Sequence, residues 1–382
     1  MPFYQSQGSI PKKRHTVFKN SNSQIYYEEL VSRSGFSSIY TNLYHLKMPT
    51  NIKKIGAYKK FLFVKSDSKY TAKHFITKNI KSSGNSHESR RLLLYNNDLL
   101  IYKSHISDSS IEFCRNGHYD ELYYVQDGCG ELLTNFGLLK YNKGDYIVIP
   151  RGVIYQFNII KKTKVLLIES ISPIETPSRY RNKFGQLLEH SPFCERDIKV
   201  PVLQNPKEEK GNFVVNVRLM DGVQTYIYEN HPFDVVGWDG YYFPWIFNIH
   251  DFEPITGSLH QPPPVHQTFQ SKNFFICSFV SRKYDFHPES IPAPYPHSNV
   301  DSDEVIFYSK GDFMSRKGIH DESITLHPMG LPHGPQPGKY EESIGKEFTN
   351  ELAVMIDTFN PLYVSDNADQ IVDKNYPLSW SK

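Results

Sequence analysis

Apolar positions come in short runs, often alternating with polar ones and broken at close intervals by Pro and Gly, a pattern that predicts many short strands joined by turns. The clearest strand candidates are Leu99–Tyr102, Glu121–Gln126, Tyr146–Pro150, Lys164–Glu169, Asn212–Arg218, Asn273–Val280, Val305–Tyr308 and Leu352–Asp357. Helical periodicity is scarce. Glu28–Val31 reads as one turn of helix and Arg179–His190 as a second short one, and neither is long enough to organise a domain. The polar stretch Ser66–Arg90, rich in Ser and Lys, reads as loop or sheet edge. The expectation is an all-β chain.

At 382 residues the chain has room for two cores. Gly117-His118-Tyr119-Asp120-Glu121 and Gly144-Asp145, leading to Pro150-Arg151-Gly152, resemble the two signature stretches of a cupin barrel. A second barrel is expected to follow from the Trp238–Trp245 region onward. The expected architecture is therefore tandem cupin, or double-stranded β-helix (jelly-roll), barrels with a few short helices, divided at residues 1–245 and 246–382. In the first barrel Tyr155 stands where the second stretch normally supplies a histidine ligand, so that barrel is expected to be structural.

Charge narrows the partners. Lys plus Arg number 43 against 41 Asp plus Glu, with only small basic concentrations, which argues against a nucleic-acid footprint. The start of the chain has no apolar signal region, and the longest apolar run, Phe274–Val280, is too short to cross a bilayer, so a soluble cytoplasmic protein without membrane contact is expected. Cys114, Cys129, Cys194 and Cys277 show no zinc-like spacing and read as reduced thiols.

Candidate chemistry concentrates late in the chain, where seven histidines fall between His260 and His333. Two imidazoles and one carboxylate on short strands make the facial set that holds ferrous iron and leaves coordination positions open. Glu304 opens the strand-like run Val305–Tyr308, and strand alternation lets only one of Asp303 and Glu304 face the barrel interior. Glu304 is the choice, because it precedes Gly311 much as the signature cupin glutamate precedes its turn glycine; Asp303 is left as a surface or hydrogen-bonding residue. His297, in the turn-forming Pro294–Asn299, is close enough in sequence to reach the same metal. Spacing does not decide between His327 and His333: one is a ligand and the other a supporting or proton-handling residue. His260 and His266 flank a stiff triple-proline segment at the expected cavity rim, and either can serve as a base. Arg316 is placed to clamp a substrate carboxylate, unless it is a surface arginine, and Tyr295 and Phe313 can wall an aromatic ligand. His287 and His320 read as structural or solvent-facing.

Taken together, the chain resembles the homogentisate 1,2-dioxygenases. The resemblance lies in Gly8–Thr16, Tyr27–Leu30, Gly35–Ser37, Phe243–Trp245, His260–Pro264, Pro294–His297 and Pro332–Pro335, in the family's order from near the start almost to the end. It implies Fe(II) on His297, Glu304 and His333, His260 as base toward the substrate, His327 on the oxygen side, and Tyr295 and Arg316 facing the substrate. It also implies a small aromatic acid and O2 as partners, conversion of homogentisate to maleylacetoacetate in tyrosine and phenylalanine breakdown, and a homo-oligomer, trimer or hexamer. This chain departs from the animal enzymes in its shorter length, in Phe313 for a tyrosine, in Arg316 for a lysine, and in one extra residue between His297 and Glu304. Such groups set recognition of hydroxyl and carboxylate. A cupin dioxygenase for a related acid such as gentisate is the enzymatic alternative, and a non-catalytic ligand-binding bicupin the other.

Overall fold

A computed structural model of the protein describes residues 3–381. The chain is all-β, built as two cupin-type barrels, with two short α-helices and a few 3-10 turns among the described residues. Six of the eight strands expected from the apolar pattern lie inside an observed one, while Tyr146–Pro150 overruns Asp145–Ile149 by one residue and Asn273–Val280 overruns Phe274–Phe279 by one residue at each end. Glu121–Gln126 sits within Asp120–Thr134, and Lys164–Glu169 within Ile154–Ser170; these two long strands pair antiparallel from Tyr155↔Thr134 to Ser170↔Asp120 and form the backbone of the first barrel. Gly128–Thr134 alternates buried and half-buried, whereas Asp120–Gln126 is buried on both faces, because the second barrel packs against it. Tyr124 donates to Ser309 Oγ at 2.8 Å, and Tyr146 and Ser278 share a hydrogen bond of 2.8 Å across the same seam. One contiguous apolar core runs through both barrels, from Leu122 and Ile168 to Phe307 and Ile356.

The second barrel is carried by a six-stranded antiparallel sheet ordered Gln267–Gln270, Phe274–Phe279, Leu352–Thr358, Asp303–Lys310, Ser323–His327 and Lys73–Ile76. Its last strand comes from the polar Ser66–Arg90 stretch. There it is a true sheet edge, with Lys73, His74 and Phe75 buried. In return Tyr363–Val364, late in the chain, pairs with Leu94 and Tyr95 of the first sheet.

Two helix expectations fail. Glu28–Val31 belongs to a strand, Tyr27–Ser32, because Tyr40–His45 lies alongside in register and supplies hydrogen bonds that one helical turn cannot match. Arg179–His190 holds only the end of a 3-10 turn, Ser178–Tyr180, followed by a tight turn closed by the Arg181↔Leu187 bridge. Pro177 sets extended backbone just before, the Asn182 side chain accepts from the Phe184 and Gln186 amides, and Gly185 takes φ +86°, so turn chemistry wins over helix. No helix among the described residues is long and apolar enough to cross a membrane.

Candidate metal centre

Strand register builds the site. In the Asp303–Lys310 strand, Glu304 lies opposite His327 on one side and Asp357 on the other. Alternation turns Asp303 the other way, where its buried carboxylate accepts from the amides of Met329 at 2.8 Å and Leu362 at 2.7 Å. Asp303 is thus a hydrogen-bonding residue and not a surface one. His297 and His333 come from two loops zipped together by a pair of backbone hydrogen bonds, His297 N–H to His333 O at 2.8 Å and the reverse at 2.9 Å. The loops approach so closely that a Cβ on Gly334 would lie 2.7 Å from Pro296 Cα, which requires glycine there.

The two loop imidazoles are held alike. His297 Nδ1 lies 3.2 Å from the Tyr295 carbonyl and His333 Nδ1 3.2 Å from the Leu331 carbonyl, each two residues earlier in the chain. A carbonyl can only accept, so both rings carry their proton on Nδ1 and present the Nε2 lone pair. Both lone pairs face Glu304: His297 Nε2 is 3.9 Å from Oε2, and His333 Nε2 is 3.4 Å from Oε1. His327, stacked on His333 with ring centroids 4.5 Å apart, donates from Nδ1 to Glu304 Oε1 at 2.6 Å. Burial pushes the Glu304 carboxyl up, but the three imidazoles around it, those of His297, His327 and His333, outweigh it and hold the group well below the usual carboxylate range. His327 is pushed down to about 4 by burial and stays neutral.

One donor atom from each of His297, Glu304 and His333 lies within 4.8 Å of the other two. His333 Nε2 is buried and makes no hydrogen bond. An ionised carboxylate and two free imidazole lone pairs, one of them stranded in the interior, fit a divalent transition ion better than any hydrogen-bonding role. A site of two histidines and one carboxylate that leaves positions for other ligands suits ferrous iron.

A cavity of about 470 Å³ opens beside this group, within the range of small-molecule sites. His297 and Glu304 are on its wall, with His260, Tyr295, Phe313 and Arg316 around it. His327 and His333 lie behind that wall, buried. His260 is half exposed, its Nδ1 3.6 Å from Asp285 Oδ2 and its ring edge-on to Tyr295 at 5.1 Å. Tyr295 is exposed at the mouth and Phe313 is buried against Tyr308. Arg316 is buried, not a surface residue: it donates to the Gly334 carbonyl, stacks over Trp380 at 5.7 Å and makes no ion pair among the described residues, and its Nε has no partner. Burial works against its charge, but the phenols of Tyr308 and Tyr376, then Glu304, more than compensate, and the guanidinium remains a cation.

Sequence reasoning missed two parts of this site and misplaced a third. Asp357 reaches the cavity with Oδ1 unpartnered, its carboxyl raised to about 8 by burial and by Glu304. His266 lines the same cavity but is buried, not at the rim; burial pushes it down to about 3, and its Nδ1 has no hydrogen-bond partner. Tyr376 and Trp380, near the end of the chain, close over His327 from behind. The Asp357 position was readable as the inward face of the Leu352–Asp357 strand; Tyr376 and Trp380 carry no local signal.

The first barrel has a different centre. Tyr155 donates to Glu121 Oε2 at 2.8 Å, and Arg90 reaches both Glu121 at 2.7 Å and Glu169 at 2.6 Å. His118 turns away, accepting from the Met220 amide at 2.9 Å.

Fold and site define a two-barrel cupin protein with a candidate histidine–carboxylate metal site. Residues 66–249 match the family model described as "Homogentisate 1,2-dioxygenase N-terminal". The chain is 42% identical over its whole length to a Saccharolobus solfataricus protein named "Putative dioxygenase SSO1533", covering 99% of it. It is 23% identical over 306 residues to the Homo sapiens homogentisate 1,2-dioxygenase, a match spanning 75% of this chain and 67% of the human one. Among solved structures, the Cupin 2 conserved barrel domain protein from Leptotrichia buccalis is a loose likeness, with a TM-score of 0.36 and 10% identity over 78% of this chain and all of that one. The chain belongs to the homogentisate 1,2-dioxygenase family.

Proposed function

We propose that this protein is a ferrous-iron dioxygenase that opens the ring of a hydroxyaryl acid, with homogentisate as substrate and maleylacetoacetate as product. One observation carries the reading: a single cavity is lined both by His297 and Glu304 and by the buried Arg316, which makes no ion pair among the described residues. His297, Glu304 and His333 hold the metal, which when bound supplies the activation of oxygen and of the substrate hydroxyl that no side chain offers. A buried cation without a counter-ion favours an anionic ligand, and the planar fork of Arg316 matches a carboxylate. Phe313 and Tyr295 flank the aromatic ring, and His260, held by Asp285 on its Nδ1 side, takes the phenolic proton at Nε2. The cavity walls would orient the aromatic ring beside the residues that hold the metal.

Gentisate-type acids are the second reading, favoured by the pair Phe313 and Arg316: Phe313 offers no hydroxyl to a substrate oxygen. Anaerobic reconstitution with Fe(II), followed by oxygen-electrode traces with homogentisate, gentisate and 4-hydroxyphenylacetate, separates them. One iron per chain and one O2 consumed per homogentisate is the expected result. Faster uptake with gentisate transfers the activity to that acid, and no uptake with any of them ends the dioxygenase reading.

A further inference from the structure

We propose that Tyr376, carried by the end of the chain, is a positioning residue that acts through His327 to hold Glu304 as a one-oxygen metal ligand. The inference rests on the reading of His297, Glu304 and His333 as a metal site.

The last residues follow a defined path. Val372 bridges to Phe75, and the Asp373 amide donates to the His74 carbonyl at 2.8 Å, so the chain runs beside the edge strand Lys73–Ile76. It then turns inward through Tyr376–Leu378. Tyr376 is buried, its ring 5.5 Å from His74 and 5.2 Å from Trp380. Trp380 donates to the Gly334 carbonyl at 3.0 Å, directly after His333, and Gln336 donates to Ser379. The segment is thereby tied to the loop that bears one ligand while its phenol reaches toward another.

That phenol lies 3.1 Å from His327 Nε2, and the opposite nitrogen of the same ring lies 2.6 Å from Glu304 Oε1. The proton directions follow. An ionised carboxylate only accepts, so His327 donates from Nδ1; the remaining nitrogen of a neutral imidazole only accepts, so Tyr376 donates from its hydroxyl. Tyr376 therefore selects the His327 tautomer that Glu304 needs, and the imidazole occupies Oε1. Oε2 is left as the oxygen facing His297. Because His327 and Tyr376 lie behind the cavity wall, neither touches substrate in this arrangement.

Tyr376→Phe deletes the hydroxyl and keeps the ring packing against His74 and Trp380. With Co(II) as probe and a chromogenic chelator as competitor, this variant should bind the metal about tenfold or more weakly, the effect typical of losing an outer partner of a ligand. Its thermal midpoint without metal should match that of the parent. His327→Asn keeps an N–H directed at Glu304 but removes the acceptor for Tyr376. In that background Tyr376→Phe should change Co(II) affinity no further, because both act along one path. Parental Co(II) affinity in Tyr376→Phe, or independent losses in the double variant, overturns the inference and leaves the metal site standing. Failure of the parent protein to take up one Co(II) per chain overturns the metal site and this inference together.

Discussion

The two barrels each place a glutamate at their centre and neutralise it by different means. Glu121 is met by the Arg90 guanidinium and the Tyr155 hydroxyl, and Glu169 next to it bridges Arg90 and Arg218. Glu304 is met by three imidazoles, one of which has its Nε2 buried without a hydrogen bond. A guanidinium is tethered, permanently charged and fills the space an ion would need; an imidazole lone pair is an unfinished bond that a divalent ion completes. Metal binding in this architecture thus turns on whether a side-chain cation already sits at the barrel centre.

Breaking each centre should produce opposite phenotypes. Arg90→Met strips the buried Glu121 and Glu169 of a shared partner and should cost about 3–5 kcal/mol of folding stability. Urea unfolding reads this as a lower midpoint, while the folded fraction keeps its metal stoichiometry. Glu304→Ala should do the reverse: metal loading falls by more than ~100-fold, beyond what loss of an outer partner causes, with stability in the absence of metal little reduced. A collapse of metal binding in Arg90→Met would show that the two centres are not independent. Arg316→Met tests the cavity side of the comparison, since losing one member of a buried charge pair costs about 2 kcal/mol or more, about thirtyfold in KM. An unchanged KM for the acid removes Arg316 from the carboxylate site.

A pH-dependent effect lies at the seam. Lys103 of the first barrel is fully buried, its ammonium 4.7 Å from the Phe307 ring of the second barrel and 3.8 Å from Glu322, and burial pushes it down to about 7. Between that value and the ordinary lysine range the unfolded chain holds the proton and the folded protein does not, so stability rises with pH across this window. Below pH 7 the penalty is complete. Subtracting the thermal-midpoint profile of Lys103→Met from that of the parent should leave a positive slope between pH 7 and 10; a flat difference places the charge elsewhere.

Much of this was legible in the residue pattern, for physical reasons. Strands such as Asp303–Lys310 announce themselves because their apolar side chains are sorted by the sheet's own period, and the same alternation separates Glu304 from Asp303. Two kinds of feature stayed hidden. Short polar segments such as Lys73–Ile76 become strands only because a distant edge accepts them, and groups such as Arg90 and Tyr376 acquire meaning from partners far along the chain. The Glu28–Val31 turn was misread because a single helical turn and a short strand look alike until the neighbouring strand Tyr40–His45 is known. Between His327 and His333 spacing is silent; the difference arises from a loop-to-loop bridge that turns His333 Nε2 toward the same point as His297.

The borrowed strand Lys73–Ile76 has a consequence for any attempt to excise the second barrel. A fragment starting at residue 246 would retain every ligand yet present Ser323–His327 as an open ribbon of amides and carbonyls, ready to recruit another copy and polymerise. Supplying a synthetic peptide spanning residues 70–80 in trans should restore solubility to such a fragment.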